Sequence, residues 1–315
     1  MQPSYLKLSK SGELVKRAEQ GLELLSSCSI CPRNCGVDRT ADERGFCGVG
    51  KYAEVASFGP HFGEEAPLVG RNGSGTIFFC GCNLLCVFCQ NYDISHPEEG
   101  TCSPVDAKTL ARLMTDLQRQ GCHNINLVTP SHIVPQLLWA LVYAIDEGLT
   151  VPLVYNSGGY DKLDTLHLLD GVVDIFMPDF KFWDGETSAA FMQAPDYPEV
   201  ARSAIIEMQK QVGDLVVDKN GVAERGLLVR HLLMPSGMAE SREIFRFLAQ
   251  QVSANCYTNI MDQYHPCGKA LEFHELSGSI SAVHYEEMVQ AARSSGLRRI
   301  DSRDFDKLME MLSGK

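Results

Sequence analysis

TIFFCGCNLLCVFCQNYD, residues 76–93, joins a short apolar run to a group of closely spaced cysteines. The run at residues 76–79 predicts a buried β-strand. Cys82, Cys86 and Cys89 follow that strand with the spacing C-x3-C-x2-C. A cubane iron–sulfur cluster takes one thiolate on each iron, so three thiolates would leave one iron open to a non-protein ligand. Structural metal sites are usually closed, and an open position therefore indicates a reactive site.

A closed site is the alternative for the same loop. Cys80 lies two residues before Cys82 and would complete the pattern C-x-C-x3-C-x2-C. Four thiolates of this kind can hold a structural Zn²⁺ in a knuckle. The aromatic Phe88 beside the last cysteine and the strand before the loop favour the open site.

With Phe88 just before its last cysteine, the loop resembles the signature of the radical S-adenosylmethionine (radical SAM) superfamily. The resemblance implies that Cys82, Cys86 and Cys89 hold a [4Fe–4S] cluster. The methionine part of S-adenosylmethionine (SAM) would chelate its open iron. One electron from the cluster would cleave SAM to a 5′-deoxyadenosyl radical that abstracts hydrogen, while the protein positions and shields this chemistry. An electron donor such as flavodoxin or ferredoxin is the expected partner.

The composition excludes several other classes of protein. The chain has 315 residues, a net charge of −12 and a pI near 5.2, which does not favour nucleic acid as a partner. Its first residues, MQPSYLKLSKSGELVKR, lack the apolar core of a signal peptide, so the twelve cysteines indicate a reducing cytoplasm rather than a disulfide scaffold. The longest apolar stretch, residues 137–145, falls short of the ~20 residues that cross a bilayer, and no membrane association is expected.

From residue 71 to residue 315 the sequence alternates between strand and helix patterns, which predicts repeated βα units with parallel strands. The expected fold is α/β, a partial (β/α)6 TIM-like barrel with an N-terminal cysteine-rich extension. The predicted strands are residues 76–79, 125–128, 151–155, 173–177, 227–234 and 259–263. The predicted helices are residues 106–120, 133–147, 161–169, 198–212, 240–252 and 283–296. Residues 215–221 end in Asn-Gly, which predicts a hairpin inserted between the fourth and fifth strands.

Residues 1–70 lack this rhythm and are expected to form an appended domain with a second cysteine set. Its spacing is C-x2-C-x3-C-x11-C, and its members are Cys28, Cys31, Cys35 and Cys47. Four thiolates make a closed site, which suits structural zinc. Three close cysteines and a distant fourth also suit a second [4Fe–4S] cluster with a role in electron relay. Both interpretations stay open at the level of the sequence.

Parallel barrels place their chemistry at the C-terminal ends of the strands. Resemblance there extends to the pyruvate formate-lyase activating-enzyme-like branch, through the Cys-x-Asn step at Cys89-Gln90-Asn91. Where that branch carries Gly-Gly-Glu, this chain has Thr129-Pro-Ser131-His, so Thr129 and Ser131 are expected to replace the contact with the SAM amino group. The implied cofactor-binding residues are Phe88, Asn91, Thr129, Ser131, Asn156, Ser157, Asp179, Lys181, Arg230 and His265.

Several of these residues also carry a local physical argument. Strand alternation puts Asp179 and Lys181 on one face, as a SAM-facing pair or a plain salt bridge. Arg230 lies in an apolar run and needs a partner, either the SAM carboxylate or a buried Asp. His231, on the opposite face, is expected to pack. Cys267, two residues after His265, is a candidate thiol hydrogen donor.

The other cysteines outside the two sets are expected to be small buried residues. They are Cys80, Cys102, Cys122 and Cys256.

The leading hypothesis is a radical SAM enzyme that abstracts hydrogen from its substrate. Its branch suggests activation of a glycyl-radical enzyme as protein substrate. A peptide- or small-molecule-modifying radical SAM enzyme is the alternative within the same chemistry. A two-cluster electron-transfer or sensor protein is the non-enzyme alternative, which would leave the polar strand ends unexplained.

Overall fold

The computed structural model describes residues 2–96, 101–235 and 238–301. Its strands are β1 (Ala53–His61), β2 (Ser74–Phe79), β3 (Ser103–Val105), β4 (Ile125–Val128), β5 (Leu153–Ser157), β6 (Ile175–Pro178), β7 (Val216–Val217), β8 (Ala223–Leu232), β9 (Tyr257–Met261) and β10 (Arg299–Ile300). Its α-helices are α1 (Tyr5–Ser11), α2 (Glu13–Glu23), α3 (Ala66–Val69), α4 (Tyr92–Ser95), α5 (Ala107–Arg119), α6 (Val134–Asp146), α7 (Leu163–Leu169), α8 (Gly185–Met192), α9 (Tyr197–Val212), α10 (Met238–Phe247) and α11 (Ala282–Ser294).

Six consecutive parallel strands form the main sheet, in the order β2-β4-β5-β6-β8-β9. The two-residue β10 adds to β9, and the antiparallel β1 and β3 extend the opposite edge. The predicted partial (β/α)6 barrel is therefore confirmed. The predicted hairpin is also present, as β7 paired with the start of β8.

Helix α5 shows why the local pattern is reliable in this part of the chain. Asp106 precedes the helix, and its carboxylate accepts a hydrogen bond from the Thr109 backbone N–H at 2.7 Å. Leu110, Met114 and Leu117 lie on one face and are buried. Just after the helix Gly121 adopts φ 93°, a conformation that glycine reaches without strain.

The barrel interior has its own apolar cluster, separate from the core beneath the helices. Leu68 of α3 packs there with Val154, Ile175, Met177 and Leu228 from β5, β6 and β8. These strand residues alternate with those that pack under the helices, so they face inward. The segment before β2 thus fills the lower part of the barrel, and the polar positions above it are left for a site.

Residues 1–70, predicted as an appended domain, are bound to the barrel at several points. Strand β1 pairs with β2 across the predicted boundary, and the Tyr5 hydroxyl donates to the Val151 carbonyl oxygen at 2.8 Å. A Cβ on Gly21 of α2 would lie 3.3 Å from Pro135 at the start of α6, so these two helices touch. The segments on both sides of the four cysteines are therefore packed against the barrel.

Cys80 and Cys102 form a disulfide. The prediction that both are isolated buried cysteines is wrong, because β3 pairs with β1 and so brings Cys102 within reach of Cys80, and the sequence gives no sign of that pairing. The pairing also removes Cys80 as the fourth thiolate of a zinc knuckle in the loop. Cys122 and Cys256 are buried free thiols, as predicted.

The disulfide predicts a difference in thiol count. Denatured metal-free protein should take up alkylating reagent at its ten free cysteines without reductant, and at all twelve after reduction. Intact mass measures both states. The Cys80→Ser variant, as a control, should label fully without reductant. Full labelling of the unreduced wild-type chain would contradict the disulfide.

No helix of residues 2–96, 101–235 and 238–301 is long and apolar enough to span a bilayer.

Candidate active site

The cysteine loop leaves the C-terminal end of β2 with three free thiols, on Cys82, Cys86 and Cys89. The Leu84 backbone N–H donates to Cys82 Sγ at 3.3 Å, and the Cys89 N–H donates to the Cys86 carbonyl oxygen at 3.1 Å. Leu85 adopts φ 50°, which turns the chain sharply between the first two cysteines. The backbone therefore folds the loop around its own thiols.

The thiols interact with one another and with a cation. Burial raises the pKa of Cys86, the Lys181 ammonium opposes that rise, and the neighbouring Cys82 and Cys89 add to it. Burial also raises the pKa of Cys82, and an N–H from Leu84 opposes it. The three cysteines thus lie close together with Lys181 beside them.

The number of thiols in the loop bears on what they could hold. Within the described ranges, no group of three or more Cys, His, Asp or Glu side chains is placed to hold a metal ion. A [4Fe–4S] cluster bonds each thiolate to a different iron, so three thiols would leave one iron open.

A charged network fills the barrel mouth beside this loop. Asp179 Oδ2 lies 2.6 Å from Lys181 Nζ, and Asp179 Oδ1 accepts from Arg230 Nε at 2.8 Å. The Nη2 group of Arg230 donates to Asn156 Oδ1 at 2.8 Å. The predicted common face of Asp179 and Lys181 is confirmed by their contact. Of the two partners considered for Arg230, the structure shows the buried aspartate.

Glu65 joins this network from outside the strands. Its Oε1 accepts from Asn259 Nδ2 at 2.9 Å and lies 3.9 Å from Arg230 Nη1, while its Oε2 has no partner. Burial raises the pKa of Glu65, and Arg230 opposes that rise. On β4, Asn126 is fully buried and both its amide atoms also lack a partner. Unsatisfied buried polar atoms of this kind indicate a place for water or ligand.

Neighbouring groups set the charges of Asp179, Lys181 and Arg230 in this network. Burial alone would raise the pKa of Asp179, but Arg230 and Lys181 bring it below its ordinary range. Burial alone would lower the pKa of Lys181, and Asp179 followed by Cys86 raise it above its ordinary range. Burial opposes the charge of Arg230 too, and Asp179 and Glu65 outweigh it. Lys181 therefore presents a permanent positive charge to the cysteine loop.

The turn after β5 brings the loop and the network together. A Cβ on Gly158 would lie 2.7 Å from Leu84 in the cysteine loop, and one on Gly159 would lie 2.3 Å from the Asp179 carbonyl oxygen. Gly159 also adopts φ 78°. Both glycines after Asn156-Ser157 are thus required, because a side chain at either position would collide with its neighbour and because Gly159 has a positive φ.

Thr129 ends β4 in an unusual conformation. Its φ is 61°, a genuine outlier for a β-branched residue, and its N–H donates to the Asn156 carbonyl oxygen at 2.8 Å. Such strain costs about 1–3 kcal/mol and is found most often at functional sites. This strained backbone lies next to Asn156 at the barrel mouth, and the contact of Thr129 with SAM stays a prediction.

Ser131 and Ser157 have a partner that the sequence did not suggest. Asp161 accepts hydrogen bonds from Ser157 Oγ at 2.7 Å and from the Tyr155 hydroxyl at 2.8 Å, and Ser131 also bonds to it. Burial raises the pKa of Asp161, and Ser131 and Ser157 oppose that rise. Ser131 and Ser157, both predicted to contact SAM, thus bond to the buried carboxylate of Asp161.

The other predicted contacts lie around the loop. Phe88 is buried with its ring edge-on to Phe182 at 5.7 Å between centroids. Asn91 is exposed at the start of α4, and its carbonyl oxygen accepts from the Ile94 and Ser95 N–H groups. His265 is exposed after β9, with Nδ1 3.2 Å from the Gln263 carbonyl oxygen.

Cys267 and His231 take different positions. Cys267 is half-buried; burial raises its pKa and Cys89 raises it further, so it borders the cysteine loop. His231 packs as predicted. Its Nδ1 lies 2.6 Å from the Phe180 carbonyl oxygen and its Nε2 2.8 Å from Ser241 Oγ. Burial lowers the pKa of His231 to about 4.

The fold and the site define a partial α/β barrel with a cysteine loop at the C-terminal ends of its strands. No known protein-family profile matches the chain. The chain belongs to the family of the protein named Uncharacterized protein MJ0674, from Methanocaldococcus jannaschii. The two are 31% identical over 300 residues, which cover 93% of this chain and 82% of that protein.

Comparison with solved structures gives more distant similarities. Methylornithine synthase (PylB) is 17% identical with a TM-score of 0.45, over 73% of this chain and 65% of PylB. SuiB from Streptococcus suis bound to precursor peptide SuiA is 11% identical with a TM-score of 0.45, over 70% of this chain and 45% of SuiB. The radical S-adenosylmethionine methyltransferase TsrM from Kitasatospora setae is 13% identical with a TM-score of 0.42, over 60% of this chain and 36% of TsrM. The chain spans less than two thirds of each of these structures.

Proposed function

We propose that the chain is a radical SAM enzyme. The observation that carries the proposal is the contact between the three-thiol loop after β2 and a charged network at the barrel mouth. A [4Fe–4S] cluster bound there would supply the electron that cleaves SAM to a 5′-deoxyadenosyl radical. Cys82, Cys86 and Cys89 would hold it, and the pairing of Cys80 with Cys102 removes the preceding cysteine as a ligand of the fourth iron.

The barrel residues have separate tasks in this proposal. Lys181 places a permanent positive charge beside Cys86, which favours the thiolate form and stabilises an anionic cluster. Asp179 fixes Lys181 and Arg230 in position by accepting from both. The buried Asn126 amide, with neither atom paired, is available to hydrogen-bond a polar ligand inside the barrel.

SAM cleavage is the direct test. Protein reconstituted anaerobically, reduced with dithionite and given SAM should release 5′-deoxyadenosine, measured by chromatography. Cys86→Ala should abolish the release because it removes a cluster ligand. Cys31→Ala, outside the loop, should leave the signal of the SAM-binding cluster intact. Absence of product from an intact, reduced wild-type cluster would overturn the proposal and favour an electron-transfer or sensor protein.

The substrate is a separate matter. We propose that the radical abstracts hydrogen from a peptide or a small molecule. The step Cys89-Gln90-Asn91 suggests a more specific substrate, a glycyl-radical enzyme that the abstraction would activate. A one-electron donor such as flavodoxin or ferredoxin in the cytoplasm would reduce the cluster. Incubation with candidate partners and electron paramagnetic resonance would distinguish them, because a glycyl radical on the partner gives a persistent signal.

A further inference from the structure

Arg39 is a buried arginine without an anionic partner among the described residues. Only 1% of it is exposed; Nε donates to the Gly50 carbonyl oxygen at 2.9 Å and Nη1 to the His132 carbonyl oxygen at 2.6 Å. Nη2 has no partner. A buried guanidinium without a counter-charge costs several kcal/mol. The finished protein is therefore expected to place an anion against Arg39.

The four-cysteine segment is the part of the chain that holds Arg39. Arg39 lies between Cys35 and Cys47 in the sequence, and its backbone N–H donates to the Leu25 carbonyl oxygen at 2.9 Å, just before Cys28. Cys47 is followed by Gly48 and Val49, and Gly50 accepts from Arg39 directly. The cation is thus held against the segment that carries the last cysteine of the set.

The backbone gathers the remaining cysteines around the same place. Cys28 donates its N–H to the Val37 carbonyl oxygen at 2.9 Å and accepts from the Gly36 N–H at 3.0 Å. A Cβ on Gly45 would lie 2.8 Å from Cys35 Sγ, and the Phe46 N–H donates to that sulfur at 3.4 Å. All four cysteines are free thiols. Two turns therefore bring the first, third and fourth cysteines together without any disulfide.

Charge and spacing bear on the nature of the bound group. Four thiolates around either Zn²⁺ or an oxidised [4Fe–4S] core make a dianion, and either would be the missing partner of Arg39. The spacing of three close cysteines and a distant fourth favours the cluster, in which each thiolate binds its own iron.

The lobe lies directly against the three-cysteine loop. A Cβ on Gly81 would lie 2.3 Å from the Cys47 carbonyl oxygen, and Arg33 Nε donates to the Asn83 carbonyl oxygen at 2.8 Å. Gly81 and Asn83 flank Cys82 in the sequence. The two thiol sets are therefore neighbours with separate ligands.

We propose that the four cysteines of residues 28–47 hold a second [4Fe–4S] cluster whose counter-charge is the buried Arg39 guanidinium. This proposal does not depend on SAM cleavage, because it concerns ligands that the three-cysteine loop does not share. It does predict that the two clusters can be removed one at a time.

The first experiment isolates the second site. The triple variant Cys82→Ser/Cys86→Ser/Cys89→Ser, reconstituted anaerobically, should keep about four irons and four sulfides per chain, half the wild-type content. Reduction with dithionite should give an electron paramagnetic resonance signal that SAM does not change. Zinc in place of iron, or no metal, would overturn the proposal, and SAM cleavage by the wild-type protein would be unaffected by that outcome.

The second experiment tests Arg39 in the same triple variant. Arg39→Met should raise the melting temperature of the metal-free protein, because it removes an unpaired buried charge, and lower that of the loaded protein. It should also shift the cluster to a lower reduction potential, because the reduced cluster loses the buried positive charge that stabilises it. Arg39→Lys keeps the positive charge, so its melting temperatures and reduction potential should stay close to those of the unsubstituted Arg39 protein. A purely structural arginine would change both melting temperatures in the same direction.

If Arg39→Met does not fold, Arg39→Gln keeps the hydrogen bond to Gly50 while removing the charge. An unchanged potential and melting temperatures that move together in that variant would overturn the role of Arg39.

Discussion

Replacing Asp179 with alanine is expected to lower the free energy of unfolding by about 3 kcal/mol. The Asp179 carboxylate is shared by Arg230 at 2.8 Å and Lys181 at 2.6 Å, and the three side chains are only 15–19% exposed. Removing it leaves two largely buried cations next to each other. Glu65, at 3.9 Å from Arg230, is too distant to compensate for both.

Urea denaturation at neutral pH measures this loss, with Asp116→Ala as the matched control. Asp116 also pairs with an arginine, Arg119 at 2.6 Å, but both side chains are exposed, so its loss should cost under about 1 kcal/mol. Asp179→Asn separates charge from shape and should fall between the two. If Asp179→Ala costs no more than Asp116→Ala, the network does not stabilise the barrel.

The pH dependence provides a second check with a definite sign. The pKa of Asp179 is lower in the folded protein than its ordinary value, so its contribution is complete above that value. It is lost as the pH falls through the lower folded value. The difference between wild type and Asp179→Asn should therefore be constant near neutral pH and begin to shrink only below about pH 3.9.

The parts of this site that follow from local rules were predictable. Alternation along a strand places Asp179 and Lys181 on one face, and an arginine inside an apolar run needs a partner. Both predictions depend only on residues that lie within a few positions of each other in the sequence. The six parallel strands were predictable for the same reason, since each carries a compact apolar run between helix patterns.

The predicted ends of the strands were less accurate where a single residue changes the hydrogen bonding between neighbouring strands. The third strand was expected at residues 151–155 and is Leu153–Ser157. Pro152 has no N–H to donate, and its carbonyl oxygen instead accepts from Ile125. The fourth strand was expected at residues 173–177 and is Ile175–Pro178; just before it, the Asp174 carboxylate accepts from the Leu153 and Ser4 N–H groups.

The contacts that complete the site could not be predicted because their partners are far apart in sequence. Glu65 and Asn259 are 194 positions apart and meet only because α3 fills the barrel. Cys102 reaches Cys80 through β3, a strand of three residues without a clear pattern. Arg39 resembles any charged loop residue until its burial is known. These residues carry ordinary local sequence, so only the fold reveals them.

Replacing Gly81 with alanine is expected to destabilise the protein by about 2–5 kcal/mol and to reduce the iron content of both cysteine sites. Its φ of 75° costs an L-residue about 1–2 kcal/mol. The new Cβ would also lie 2.3 Å from the Cys47 carbonyl oxygen and 2.7 Å from Val49 Cγ2, and overpacking of this kind typically costs about 1–3 kcal/mol. The backbone of Cys47 can retreat only by moving away from the loop that carries Cys82.

Gly12→Ala is the control that separates these two causes. Gly12 has the same φ of 75° after α1, but an added Cβ would meet nothing within 4 Å. It should cost only the conformational share, about 1–2 kcal/mol, and leave iron binding unchanged. Urea denaturation and iron analysis of both variants decide the matter. Because the clash joins the two cysteine segments, Gly81→Ala should lose iron beyond what its stability loss alone explains. Equal behaviour of the two variants would mean that the sites do not depend on their contact.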